Sequence, residues 1–139
     1  MRLARTDRLR PDAQTQAELV EVLERFCAAF AARDAGAVMR LVAPDADVVV
    51  VTSEQPLLRG PDDLTAFLDR YVKGPTTYSW EWHRYDVSVS GSVAWLLAEG
   101  VETAASEGRE AEHPYRMTMV LETREDHWWL VQVHGSSPH

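Results

Sequence analysis

The chain has 139 residues, 45% of them hydrophobic, which suffices for one sizeable core and is too little for two comfortable domains. Its 22 acidic residues against 14 basic ones give a formal net charge of -8, so nucleic acid and anionic membrane are disfavoured partners by repulsion. A lone cysteine, Cys27, excludes an internal disulfide and a thiolate metal cage.

No apolar run approaches the roughly 20 residues needed to cross a bilayer, and the opening segment lacks the apolar stretch of a signal peptide, so a cytoplasmic protein is expected. Residues 1–14, with Arg2, Arg5, Arg8 and Arg10, read as a flexible, solvated arm. A single domain over 15–139 follows. Thr15-Gln16-Ala17-Glu18 reads as a capping box, and Leu19, Leu23, Phe26 and Phe30 recur at helical spacing up to Arg33. Cys27 falls on the apolar side of this helix, as an inert buried thiol. Asp34-Ala35-Gly36 can stop the helix and cap a short second one carrying Val38 and Leu41, before Pro44 and Asp45 break the pattern. Asp47 to Val51 is a β-branched run suited to a short buried strand.

Gly60-Pro61-Asp62-Asp63 predicts a helix start, with proline in the first turn and two acids facing the positive end of the dipole. Leu64, Phe67, Leu68 and Tyr71 form its apolar stripe, and Lys73-Gly74-Pro75 ends it. Strands are expected from Tyr78 to Ser90 and from Ser92 to Thr103, joined at Ser90-Gly91-Ser92 and followed by a polar loop from Ala104 to His113. Tyr115 to Leu121 and Trp128 to Ser136 then form a hairpin. Helices early and antiparallel strands late argue for an α+β fold, with helices on one face of a strongly bent, mostly antiparallel sheet that encloses a pocket.

Strand alternation sorts the candidate chemistry. With a three-residue turn from Arg124 to Asp126, Tyr115, Met117 and Met119 share a face with Trp129, Val131, Val133 and Gly135. Arg116 and Thr118 then share the other face with Trp128, Gln132, His134 and Ser136, as a dimer-interface network. A one-residue bulge would reverse the assignment and turn the polar set into the pocket. In the first register Trp95, Leu97 and Glu99 match the Tyr115 face; Glu99 is then either a carboxylate among aromatics, suited to acid-base work, or a strand-end residue in water. Trp80 and Trp82 either stack on a flat ligand or fill the core.

The histidines at 83, 113, 127, 134 and 139 show no His-x-x-x-His or His-x-His spacing, so no metal is expected. No Gly-x-Ser-x-Gly elbow and no phosphate-cradling glycine loop is present, which leaves serine hydrolases and nucleotide enzymes without their motifs.

Three stretches resemble the opening of the SnoaL-like, nuclear-transport-factor-two-like superfamily: Arg33-Asp34-Ala35-Gly36-Ala37, then Ala43-Pro44-Asp45-Ala46-Asp47-Val48, then Leu58-Arg59-Gly60 before a helix. Ser92-Val93-Ala94-Trp95, Arg116-Met117-Thr118-Met119-Val120, and Trp128 followed by His134-Gly135-Ser136 resemble its sheet, so the likeness runs from Thr15 to Pro138. The resemblance implies a cone-shaped α+β barrel, with three N-terminal helices on the concave face of the sheet and a homodimer formed through the convex face. Its relatives include ketosteroid isomerases, polyketide cyclases, dehydratases, epoxide hydrolases and non-catalytic association domains, so fold alone does not settle function. On the ketosteroid isomerase pattern, the base, tyrosine and second acid fall near Val50, Phe26 and Met119, all apolar here.

The expected function is therefore cofactor-free acid-base chemistry on a small hydrophobic molecule. Glu99 or His134 would move the proton, and Tyr115 or Arg116 would stabilise negative charge. Phe26, Phe30, Val50, Phe67, Tyr71, Trp80, Trp82, Trp95, Met117, Met119 and Gly135 would contact substrate. The alternative is a ligand-binding or association module without turnover.

Overall fold

Asp12, not Thr15, starts the first helix: its carboxylate accepts the backbone N–H of Thr15 at 2.7 Å, so α1 runs from Ala13 to Ala31. The acceptor three residues upstream satisfies that N–H, and Thr15 becomes part of the first turn. The computed structural model describes residues 9–44, 47–53 and 56–138. Arg2, Arg5 and Arg8 of the expected arm lie outside the described residues, as do Asp45 and Ala46. Asp34 caps the short helix α2 (Ala35–Met39) by accepting from the Ala37 N–H at 3.0 Å. Helix α3 (Gly60–Lys73) opens with proline in its first turn, and Asp63 reaches back to the Arg59 N–H at 2.9 Å.

Six strands follow the order β2-β1-β6-β5-β4-β3, with β1 Val49–Val51, β2 Leu58–Arg59, β3 Thr76–Ser90, β4 Val93–Ser106, β5 Arg109–Arg124 and β6 His127–Ser136. All pairings are antiparallel except β1 with β6. The sheet curves without closing, and helices α1, α2 and α3 cover its concave face. Two extra residues mark irregularities in the ladders: His83, between the pairs Trp82–Gly100 and Arg84–Glu99, and Val131, between Leu121–Leu130 and Val120–Gln132.

The expected polar loop from Ala104 to His113 is instead a hairpin. Glu107 and Gly108, at φ 51° and 80°, make a two-residue turn, and β4 and β5 pair without slip from Ser106–Arg109 onward. The polar residues there are exposed strand, not loop. Pro114 is accommodated because β6 ends opposite Arg116, which leaves that part of β5 at an edge. The last hairpin turns on two residues, Glu125 and Asp126, rather than three, and the Val131 bulge then restores the pairing of Met119 with Val133 and Met117 with Gly135. Trp129 and Val131 consequently leave the Met117 face, and Leu130 joins it.

The core lies between the helices and the concave face. Leu19 and Leu23 of α1, Val38 of α2 and Leu64 and Leu68 of α3 meet Leu96, Met119, Leu121 and Leu130 of the sheet. Each such leucine contributes about 2 kcal/mol by leaving water. Towards the open end this filling gives way to aromatic side chains and a cavity.

Candidate functional site

The cavity holds about 380 Å³, at the small end of the range for small-molecule sites. An apolar cavity of about 150 Å³ takes one benzene, so this one has room for a substituted two-ring guest. Val50, Met117 and Val133 give it an aliphatic lining, and Phe26, Phe30, Phe67, Tyr71, Tyr78, Trp80 and Tyr115 an aromatic one. Thr52, Ser53, Arg70, Gly74, Pro75, Thr76 and Ser137 add backbone and polar groups. The rings support one another: Phe30 lies 5.0 Å from Phe26, 5.1 Å from Tyr71 and 5.7 Å, edge-on, from Trp80.

Glu102 is the one buried charged side chain among the described residues, at 7% exposure, and it lines this cavity. Sheet register puts it there, because Glu102 pairs with Trp80 on one side and His113 on the other. Its Oε2 accepts from the Trp80 indole N–H at 2.9 Å, and its Oε1 lies 2.9 Å from His113 Nε2. An indole N–H can only donate, so the carboxylate is held as an acceptor. His113 does not line the cavity; its side chain is 37% exposed, and its ring meets Tyr115 edge-on at 6.3 Å. A buried carboxylate, an imidazole reaching solvent and a neighbouring phenol thus converge on one wall.

Of the residues expected in the pocket, Phe26, Phe30, Val50, Phe67, Tyr71, Trp80, Tyr115, Met117 and Gly135 line it. Met119 is 1% exposed and belongs to the core behind it. Trp82 stands beside the cavity, stacked on Trp80 at 6.4 Å with its indole N–H 3.4 Å from the Cys27 sulfur. Glu99, Arg116, His134 and Trp95 do not enter the cavity. The tight Glu107–Gly108 turn pairs Gly100 with Tyr115 and Glu99 with Arg116, so the inward face of β4 is Ala94, Leu96, Ala98, Gly100 and Glu102. Glu99 and Arg116 form a partly exposed ion pair at 3.6 Å on the convex face; Thr118 and His134 lie across from each other there, and Trp95 is 39% exposed.

Two conspicuous groups are spent on structure. Burial raises the pKa of the Tyr71 phenol, and its hydroxyl donates to the Phe30 carbonyl at 2.8 Å while accepting from the Tyr78 N–H at 3.0 Å. Burial likewise pushes the Cys27 thiol up to about 11, far from a nucleophile's range. Arg33, read from sequence only as part of a helix stop, ties the end of α3 to the start of β3 beside the cavity. Its guanidinium donates to the carbonyls of Tyr71 and Val72 at 2.8 and 2.7 Å, to the Gly74 carbonyl, and to Thr77 Oγ1 at 2.8 Å.

The family model described as a SnoaL-like domain matches residues 19–139. No curated protein matches the chain. Among solved structures, a candidate dehydratase of the NTF2-like family from Streptomyces avermitilis is similar with a TM-score of 0.82 at 19% identity, over 93% of this chain and 99% of its own. A candidate aromatic ring hydroxylase from Novosphingobium aromaticivorans gives 0.82 at 14% identity, over 94% and 93% of the two chains. A candidate calcium/calmodulin-dependent kinase II association domain from Exiguobacterium sibiricum gives 0.73 at 14%, over 94% and 98%. At these identities the likeness is one of fold, and the three descriptions differ in kind. The match over nearly the whole chain carries one conclusion: the chain belongs to the SnoaL-like domain family.

Proposed function

We propose that the protein binds a flat hydrophobic small molecule in the concave cavity and performs cofactor-free acid-base chemistry on it, with Glu102 as the proton carrier. The observation that carries this reading is the buried Glu102 carboxylate in the cavity wall, fixed by Trp80 on one oxygen and His113 on the other. Glu102 removes a proton from a carbon beside a carbonyl or from a hydroxyl, and returns it to another atom of the same molecule. Such a shuttle serves isomerisation, and dehydration when the returned proton leaves with a hydroxyl as water. His113 orients the carboxylate and links it to solvent, Tyr115 is positioned to donate to developing negative charge, and the aromatic walls place the guest. The candidate dehydratase among the similar structures fits this class of chemistry.

The proton carrier is tested by exchange with 2-tetralone, a two-ring ketone with labile protons beside its carbonyl. In D₂O the wild type is expected to accelerate deuterium uptake, and Glu102→Gln, which preserves shape but not basicity, to lose about 10²- to 10⁴-fold of that acceleration. Equal exchange by both proteins would remove Glu102 from the role.

A non-catalytic association role is the second reading, favoured by the convex face, where Val93 and Trp95 remain 38% and 39% exposed beside the Glu99–Arg116 pair. A homodimer through that face belongs to the proposal under either reading. So does a cytoplasmic location, supported by a chain whose single cysteine calls for no oxidising compartment.

A further inference from the structure

We propose that Arg70 makes the mouth of the cavity an anion subsite, so that the guest is an aromatic or fused-ring acid whose rings lie against the aromatic walls and whose carboxylate meets the guanidinium. This rests on the cavity being a small-molecule site and adds the charge and orientation of what fills it. Phe67, Arg70 and Tyr71 of α3 line the cavity together with Gly74 just past its end, and Arg70 and Tyr71 lie three and four residues from Phe67. Arg70 is exposed and borders the apolar stripe of α3 on the side that reaches the cavity.

A cation in the last turn of α3 suits the negative end of the helix dipole, a role that Lys73 shares, but the Arg70 guanidinium has no carboxylate partner among the described residues. Positions three and four residues away on α3 are Ala66, Phe67, Lys73 and Gly74, none of them acidic. Arg25, Arg84, Arg116 and Arg124 each lie beside a carboxylate; Arg40, Arg59, Arg70 and Arg109 form no ion pair among the described residues, and of these four Arg70 lines the cavity. The last carbonyls of α3 have other donors. The carbonyls of Tyr71, Val72 and Gly74 are already taken by Arg33, and the Arg70 carbonyl accepts the Gly74 N–H at 2.9 Å.

Charge is also divided between the two walls. Arg70 comes from the helix layer and Glu102, the one carboxylate lining the cavity among the described residues, from the sheet. A guest held by its acid group at Arg70 therefore presents its ring system to the sheet wall that carries Glu102. A guanidinium suits this task because its fork matches both oxygens of a carboxylate. The whole molecule, at -8, repels anions, so any preference for an acid must arise locally.

Calorimetric titration with 2-naphthoate and with the neutral 2-naphthylmethanol tests this on the full chain. Wild type is expected to prefer the acid by about fivefold, the upper end for a solvent-accessible ion pair, and to lose that preference in high salt. Arg70→Ala should abolish the preference while still binding the alcohol, and Lys73→Ala, which changes the next cation on the helix, should retain it. Equal affinity for the two probes in wild type, or a preference that survives Arg70→Ala or falls equally in Lys73→Ala, overturns the anion subsite and leaves the apolar cavity standing. Failure of both probes to bind overturns the cavity as a small-molecule site, and this inference with it.

Discussion

Gly135 lies against the Tyr115 ring so closely that a Cβ there would sit 2.2 Å from the phenolic oxygen and 2.9 Å from the carbon bearing it. The ring is 9% exposed and cannot swing freely. Gly135→Ala should therefore displace Tyr115 and cost about 1–3 kcal/mol as an overpacked site, measured by urea unfolding. Unchanged stability with an unmoved Tyr115 would contradict the packing described. Both residues could be read as pocket-facing from the alternation of the final hairpin. Glu102 could not, because β4 is apolar on both faces: Ala94, Leu96 and Ala98 inward, Val93, Trp95, Leu97 and Val101 outward. Without a contrast between faces, alternation does not say which glutamate enters, and Glu99 differs from Glu102 by an odd step. The usable signal was Glu107-Gly108; counting back from that tight turn pairs Glu102 with His113.

Among the elements, α1, α3 and the start of β3 are joined by one side chain. Arg33 adopts the left-handed conformation at φ 57°, and backbone bonds from Arg33 to Phe30 and from Asp34 to Ala29 close the end of α1 in a Schellman arrangement. A non-glycine residue there costs about 1 kcal/mol, which the guanidinium offsets through its contacts with α3 and β3. Arg33→Ala should lose about 2–4 kcal/mol in urea unfolding, as several charge-assisted bonds disappear together. Arg33→Gly, which relieves the backbone but removes the clamp, should also be destabilised; stability equal to wild type in that variant would show that the clamp is not needed. Helix ends with local chemistry, such as Asp34 and Gly60-Pro61, were legible in the sequence. The clamp was not, since its carbonyl partners lie 38 to 41 residues away and only the fold brings them together.

At the scale of the whole molecule, early helices and late strands were sufficient to anticipate a bent sheet with helices in its hollow. Bulges and two-residue turns then decided which side chains face that hollow, which is why the container was clearer than its chemistry. The convex side carries Trp95 next to Leu97 and Val120 across the ladder, a surface suited to a second copy. Sedimentation should show a wild-type dimer and a folded monomer for Trp95→Glu; a monomeric wild type at all concentrations would contradict the proposed assembly.

The central claim, that a guest in the cavity meets Glu102, is read most directly at the Trp80 indole N–H, which is bonded to that carboxylate. In ¹⁵N-labelled protein, with the resonance assigned by Trp80→Phe, titration of 2-naphthylmethanol should shift the Trp80 indole signal while leaving that of Trp95 on the opposite face in place. A shift at Trp95 with none at Trp80 would contradict the account.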